Sequence, residues 1–202
     1  MTHRPLAGFA LLLVLLWPPV RHATEASMAA HMLVQYTGLL VAGALLAEPQ
    51  VRPGERGLQR WNELGIAGLV GSALTLAILM VPRLLDLALT DGRVESLKLI
   101  ALVLTGAALR LSWQRAGTVV QAFFLGNVLP MTVVVGTLYQ DSPTRVCNAY
   151  LLDDQRLLGV GLVWAALAVV AAWLLRLGWV RRSAQRSPAG APAEHNGARN
   201  VQ

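Results

Sequence analysis

Met28, His31, Met32 and Gln35 stand at i, i+3, i+4 and i+7 in the stretch "SMAAHMLVQY", so on an α-helix all four project from one face. Thioether with imidazole is a soft donor set that suits Cu(I), whereas zinc takes thiolate, imidazole and carboxylate, and calcium or magnesium needs oxygen. Met80 and Met131 fall near the ends of later apolar runs that leave the membrane on the same side. The candidate Cu(I) set is therefore His31 with Met28, Met32, Met80 and Met131. A plainer account fits the same residues. Methionines fill apolar interiors, and a histidine near a helix end hydrogen-bonds to a neighbouring helix, with Gln35 one turn on as its nearest partner.

A second cluster, Asp153, Asp154 and Gln155, opens the last apolar run in "YLLDDQRLLG". One of the two acids suffices as an N-cap at the positive end of the helix dipole, which leaves the other without an assigned task. The single cysteine, Cys147, has no internal disulfide partner. It is expected as a free or intermolecularly linked thiol in a loop reachable from outside. Asn127 and Pro130 inside the longest uncharged run read as structural, with the proline kinking its helix.

Several classes drop out. Nucleophile signatures, Gly-rich phosphate loops and paired CxxC motifs are absent, which points to a protein that is not an enzyme. No Asp or Glu lies inside an expected membrane span, as proton-coupled transporters usually require. The net charge of +6 comes from basic residues flanking apolar runs without interleaved aromatics, so nucleic acid is not the partner.

The elements that must position these side chains are membrane helices. Of 202 residues, 55% are hydrophobic and 14% charged, against roughly 25% charged in a soluble domain. Runs of about the ~20 residues that cross a bilayer occur at Met28–Ala47, Leu64–Val81, Ala116–Tyr139 and Leu157–Leu175. A fifth, Leu97–Trp113, has Lys98 and Arg110 near its ends, where long side chains snorkel. The first run, Pro5–Val20, is either a short transmembrane helix or the apolar core of a signal peptide.

The expected fold class is all-α, a polytopic integral membrane bundle of five to six transmembrane helices. Residues 1–27 form the first helix or signal peptide, 28–180 the bundle and 181–202 a disordered cytoplasmic tail. A cytoplasmic N-terminus puts eleven of the 17 basic residues inside, in accord with the positive-inside rule. The expected location is the bacterial cytoplasmic (inner) membrane, multi-pass, with the C-terminus cytoplasmic and the lipid bilayer as the first partner.

The segments "S-x-A-x-H-M" at the second helix, "VPRLLDLALTDGRVESLKLIALVLTG" and "LLDDQRLLGVGLVW" together resemble the CtaG-type cytochrome-oxidase assembly factors. The resemblance runs discontinuously from about Ser27 to Trp164. It implies a non-enzymatic inner-membrane protein that helps install copper in a haem-copper oxidase, with an oxidase subunit as partner. The chain departs from the family at histidines. Gln35 stands where the family reads His-Met-x-x-His, Met80-Val81 replaces a Trp-His pair before the proline, and Val94-Glu95-Ser96 lies where more histidine is expected. Two functions remain open. One is a factor that holds Cu(I) at the non-cytoplasmic face and passes it to an oxidase; the other is a structural or interaction subunit of a membrane respiratory or metalloenzyme complex with no metal of its own.

Overall fold

The computed structural model describes residues 3–47, 62–147 and 150–186, and every regular element among them is helical. The helices are α1 (His3–Leu16), α2 (Pro18–Glu25), a π-helical segment (Ala30–Tyr36) continuing into α3 (Thr37–Leu46), α4 (Ile66–Leu79), α5 (Pro82–Thr90), α6 (Gly92–Arg115), α7 (Thr118–Asp141) and α8 (Leu152–Arg186).

Proline sets the two sharp bends. A residue before proline is pushed out of the α region, and proline itself is well placed at the first helical position. Trp17 (φ −64°, ψ 126°) and Val81 (φ −67°, ψ 121°) are both extended, and Pro18 and Pro82 each restart a helix. The chain turns by 68° between α1 and α2 and by 72° between α4 and α5. Pro130 acts differently, because α7 continues through it. Asn127 Nδ2 donates to the Phe123 carbonyl at 2.7 Å and Thr132 Oγ1 to that of Val128 at 2.8 Å.

Two helices, Thr118–Asp141 and Leu152–Trp179, are long and apolar enough to cross a membrane, or up to four spans if each bent pair counts as one. The sequence leads one to expect five or six, and the physical difference lies in two runs. Ala30–Leu46 is apolar but short of a full bilayer crossing. The expected Leu97–Trp113 span is part of α6, whose inner face carries buried Glu95 and Lys98. Exposed Leu97, Leu104, Phe123, Leu138 and Trp164 give the helices apolar outer faces, compatible with lipid contact.

The chain divides into two compact units, residues 1–166 and 167–202. In the first, the core gathers Met28, Met32, Tyr36, Leu39, Leu85, Leu102, Tyr139, Cys147, Tyr150, Leu158 and Leu162. Glycines bring its helices close. A Cβ on Gly43 would strike the Val103 carbonyl, and one on Gly106 the Leu40 carbonyl, so α3 and α6 meet backbone to backbone. Gly136 and Gly159 do the same for α7 and α8. In the second unit, residues 167–186 are helical, with Leu167, Leu174, Leu175 and Trp179 exposed. Helix α8 thus continues to Arg186, into the segment expected as tail; residues 187–202 and the basic loop bearing Arg52, Arg56 and Arg60 lie outside the described residues.

Candidate functional site

The α-helical spacing of Met28, His31, Met32 and Gln35 is not the winding the chain adopts. From Ala30 to Tyr36 it is a π-helix, with i→i+5 bonding and a wider turn, a feature enriched at functional sites. The wider turn aligns Tyr36 with His31, and their rings meet edge to face at 5.6 Å. His31, Met32, Gln35 and Tyr36 are all buried.

His31 is wholly enclosed, at 0% exposure, and both of its ring nitrogens are engaged. Nδ1 lies 2.8 Å from the Tyr150 hydroxyl and Nε2 lies 2.9 Å from Lys98 Nζ. An ammonium can only donate. With Lys98 charged, Nε2 must therefore accept and Nδ1 carries the proton that it donates to the Tyr150 oxygen; this tautomer is assigned from the bonding pattern. Lys98 Nζ also stands 5.8 Å from the centre of the Tyr36 ring, within reach of a cation–π attraction. One imidazole thus ties the π-helix to α6 and to the segment entering α8.

Lys98 is 4% exposed, so the expected snorkelling to the headgroups does not occur. Its position on the buried stripe of α6, with Glu95, Leu102 and Thr105, turns it inward. Glu95 Oε2 accepts from Arg21 Nη2 at 2.8 Å, and Arg21 Nε reaches Glu25 Oε1 at 3.1 Å. Two cations and two carboxylates therefore share this end of the site, with Glu25 at the end of α2 and Glu95 in the first turn of α6. Burial and the surrounding carboxylates hold the Tyr150 phenol well above its ordinary range, keeping it protonated.

The other sequence candidates separate. Met28 and Met32 lie in the same core cluster as Tyr150, and Met80 packs partly buried against that cluster. Met131 is 49% exposed on α7 and does not join them. Gln35 is not the partner of His31: fully buried, neither its amide oxygen nor its nitrogen has a hydrogen-bond partner among the described residues. The Tyr150 and Lys98 bonds have taken both imidazole nitrogens.

Helix α8 starts at Leu152, so Asp153 and Asp154 sit inside its first turn and neither is the N-cap. Both still face the positive end of the dipole. Asp153 pairs loosely with Arg156 at 3.8 Å, while Asp154 Oδ1 accepts from Ser27 Oγ at 3.4 Å. Gln155 is the buried member. Its Oε1 accepts from the Val146 amide at 2.8 Å and its Nε2 donates to the Tyr139 carbonyl at 3.2 Å, clamping the α7–α8 connection. Cys147 lies beneath that clamp at 1% exposure, with Sγ 3.9 Å from the Pro82 carbonyl. Burial, with a smaller push from Asp86, raises its thiol to about 11, so the expected accessible thiol is an enclosed one.

Sequence reasoning missed Lys98, Tyr150 and Tyr36. The available signal was the helical stripe Glu95-Lys98-Leu102-Thr105, which marks Lys98 as sharing a face with core residues. Among the described residues no group of three or more His, Cys, Asp or Glu is placed to hold a metal. Met28, Met32 and Met80 suit a soft ion. In this arrangement His31 does not fit one, since binding through either nitrogen displaces Tyr150 or Lys98. No family model, no curated protein and no solved structure matches the chain.

Proposed function

We propose that this chain is a multi-pass protein of the bacterial inner membrane that acts without catalysis, as an interaction subunit or assembly factor for a larger respiratory membrane complex. In this reading the buried His31 site is the pin that fixes the helices, and the apolar outer faces are what partner and lipid meet. The observation that carries it is the double engagement of His31, enclosed between Tyr150 and Lys98 with no nitrogen left for a resident ion. Five to six spans with both termini cytoplasmic complete the reading, on the distribution of basic residues. A haem-copper oxidase as the complex served follows from the resemblance of "SMAAHM" and "LLDDQRLLGVGLVW" to CtaG-type factors.

A second reading has its own supporting observation. Met28 and Met32 share the core cluster beside His31 and Met80 packs against it, so Cu(I) cargo could be held on its way to an oxidase when Lys98 gives up Nε2. Copper stoichiometry of the purified protein, loaded anaerobically and challenged with a Cu(I) chelator, separates the two. The interaction reading expects no chelator-resistant copper in wild type and lower stability in His31→Asn. The cargo reading expects about one copper in wild type, none in His31→Asn and tighter retention in Lys98→Met. Copper retained equally by wild type and His31→Asn would sink both accounts of His31.

A further inference from the structure

Beside the His31 site, on the far side of Lys98, α4, α5 and α6 enclose a half-open cleft of about 300 Å³. Its walls are mostly aliphatic, with Ile78, Leu79, Leu84 and Leu97 among them. Thr75 there spends its hydroxyl proton on the Gly71 carbonyl, and the Tyr36 and Lys98 side chains supply the remaining polar lining. Ile78 and Leu97 are more than half exposed on the outer surface, so a molecule dissolved among lipid chains meets an apolar entrance. At about 30 Å³ per water, the space equals roughly ten waters, and an aliphatic wall favours an apolar occupant over them.

The polar lining decides the occupant's head. Lys98 carries three N–H donors and no acceptor, and His31 takes one of them. The Tyr36 hydroxyl reaches only the Leu79 carbonyl at 3.5 Å, at the outer limit for such a bond and easily exchanged for a closer acceptor. Both groups offer donors, so the head must accept. The charge balance says which kind of acceptor. Arg21 pairs with both Glu25 and Glu95, and the same two carboxylates act on Lys98 through space. The four charges therefore sum to zero before any head arrives, and a carboxylate or phosphate would add an unmatched negative charge beside apolar walls. A neutral carbonyl brings none.

We propose that this cleft binds a neutral, lipid-soluble molecule through a carbonyl oxygen, of the kind a quinone ring carries, held by Lys98 Nζ and the Tyr36 hydroxyl with the apolar remainder between α4, α5 and α6. An ester carbonyl of a glycerolipid has the same chemistry, and the experiment tells the sources apart. The inference is independent of whether copper is handled.

The test uses the full chain purified in detergent and radiolabelled decylubiquinone as probe, with dioctanoylglycerol and palmitate as competitors. The expected result is saturable binding near one per chain. Lys98→Met should weaken it about tenfold, as the loss of one charged hydrogen bond to the head. Ala101→Phe, which adds bulk from a lining position of the cleft and removes no polar group, should abolish it while leaving the helical circular dichroism unchanged. Displacement by dioctanoylglycerol at equal or lower concentration identifies the ester source and keeps the carbonyl site. Preferential displacement by palmitate, equal binding by wild type and Ala101→Phe, or no saturable binding would overturn the proposal.

Discussion

Replacing His31 by leucine strands the Lys98 ammonium in a site where 4% of that residue is exposed, and its 2.9 Å acceptor is gone. Removing the neutral acceptor leaves one N–H of a buried ammonium without a partner, which costs about 3 kcal/mol for a charged donor. Lys98→Met is the milder change. The imidazole keeps Tyr150 and loses only the bond at Nε2, which costs about 1–3 kcal/mol for an unsatisfied buried nitrogen. The desolvation of the ammonium is relieved at the same time. The double variant His31→Leu/Lys98→Met removes both polar groups together and leaves no orphan from the pair, so it should be more stable than His31→Leu alone. The expected coupling is about 2 kcal/mol, within the range for residues in direct contact. For a chain of this size that corresponds to roughly 4–8 °C in thermal midpoint. Scanning unfolding of the four proteins in one detergent, followed by circular dichroism, closes the cycle. Additivity within about 0.5 kcal/mol, or a double variant less stable than either single, would refute the pairing of Lys98 with His31.

Gly106→Val should destabilise by about 3 kcal/mol or more, since its Cβ meets the Leu40 backbone carbonyl and not a yielding side-chain tip; Gly71→Ala, with nothing within 4 Å, should be neutral or gain up to about 1 kcal/mol, and equal unfolding midpoints for the two variants would contradict the α3–α6 contact. Cys147, with its thiol raised to about 11 by burial, should resist maleimide at pH 7 from either side of the membrane. Its rate should climb as pH approaches that value and jump on SDS unfolding, because the thiolate is the reactive form; fast labelling of native protein at pH 7 would show the α7–α8 connection to be open. Gln155→Ala should lower stability by about 2 kcal/mol through two lost buried hydrogen bonds, while Asp153→Ala, whose side chain is 95% exposed, should leave the thermal midpoint unchanged. The reverse order would place the importance of "DDQ" in the acids.

Local sequence was enough for the helices themselves. An uncharged run such as Leu157–Leu175 has no lower-energy option than hydrogen-bonding its backbone to itself, so its length and composition mark an apolar helix wherever it lies. The bends at Trp17-Pro18 and Val81-Pro82 were equally local, since a proline ring restricts its own φ and the residue before it. The methionine and histidine face near residue 30 was legible as a buried surface, but its detail was not. Whether Ala30–Tyr36 winds as α or π depends on what presses against it, and that winding brought Tyr36 under His31. The partners of His31 lie 67 and 119 residues away, on α6 and before α8. No periodicity within one helix specifies such a pair. Lys98 illustrates the division most sharply. A lysine at the edge of an apolar run can send its ammonium outward to headgroup water or inward to an acceptor, and both conformations satisfy the sequence. Only the packed helices supplied the acceptor, by setting the His31 nitrogen 2.9 Å from Nζ and the Glu95–Arg21–Glu25 charges close by; the inward choice follows because a buried cation needs such company.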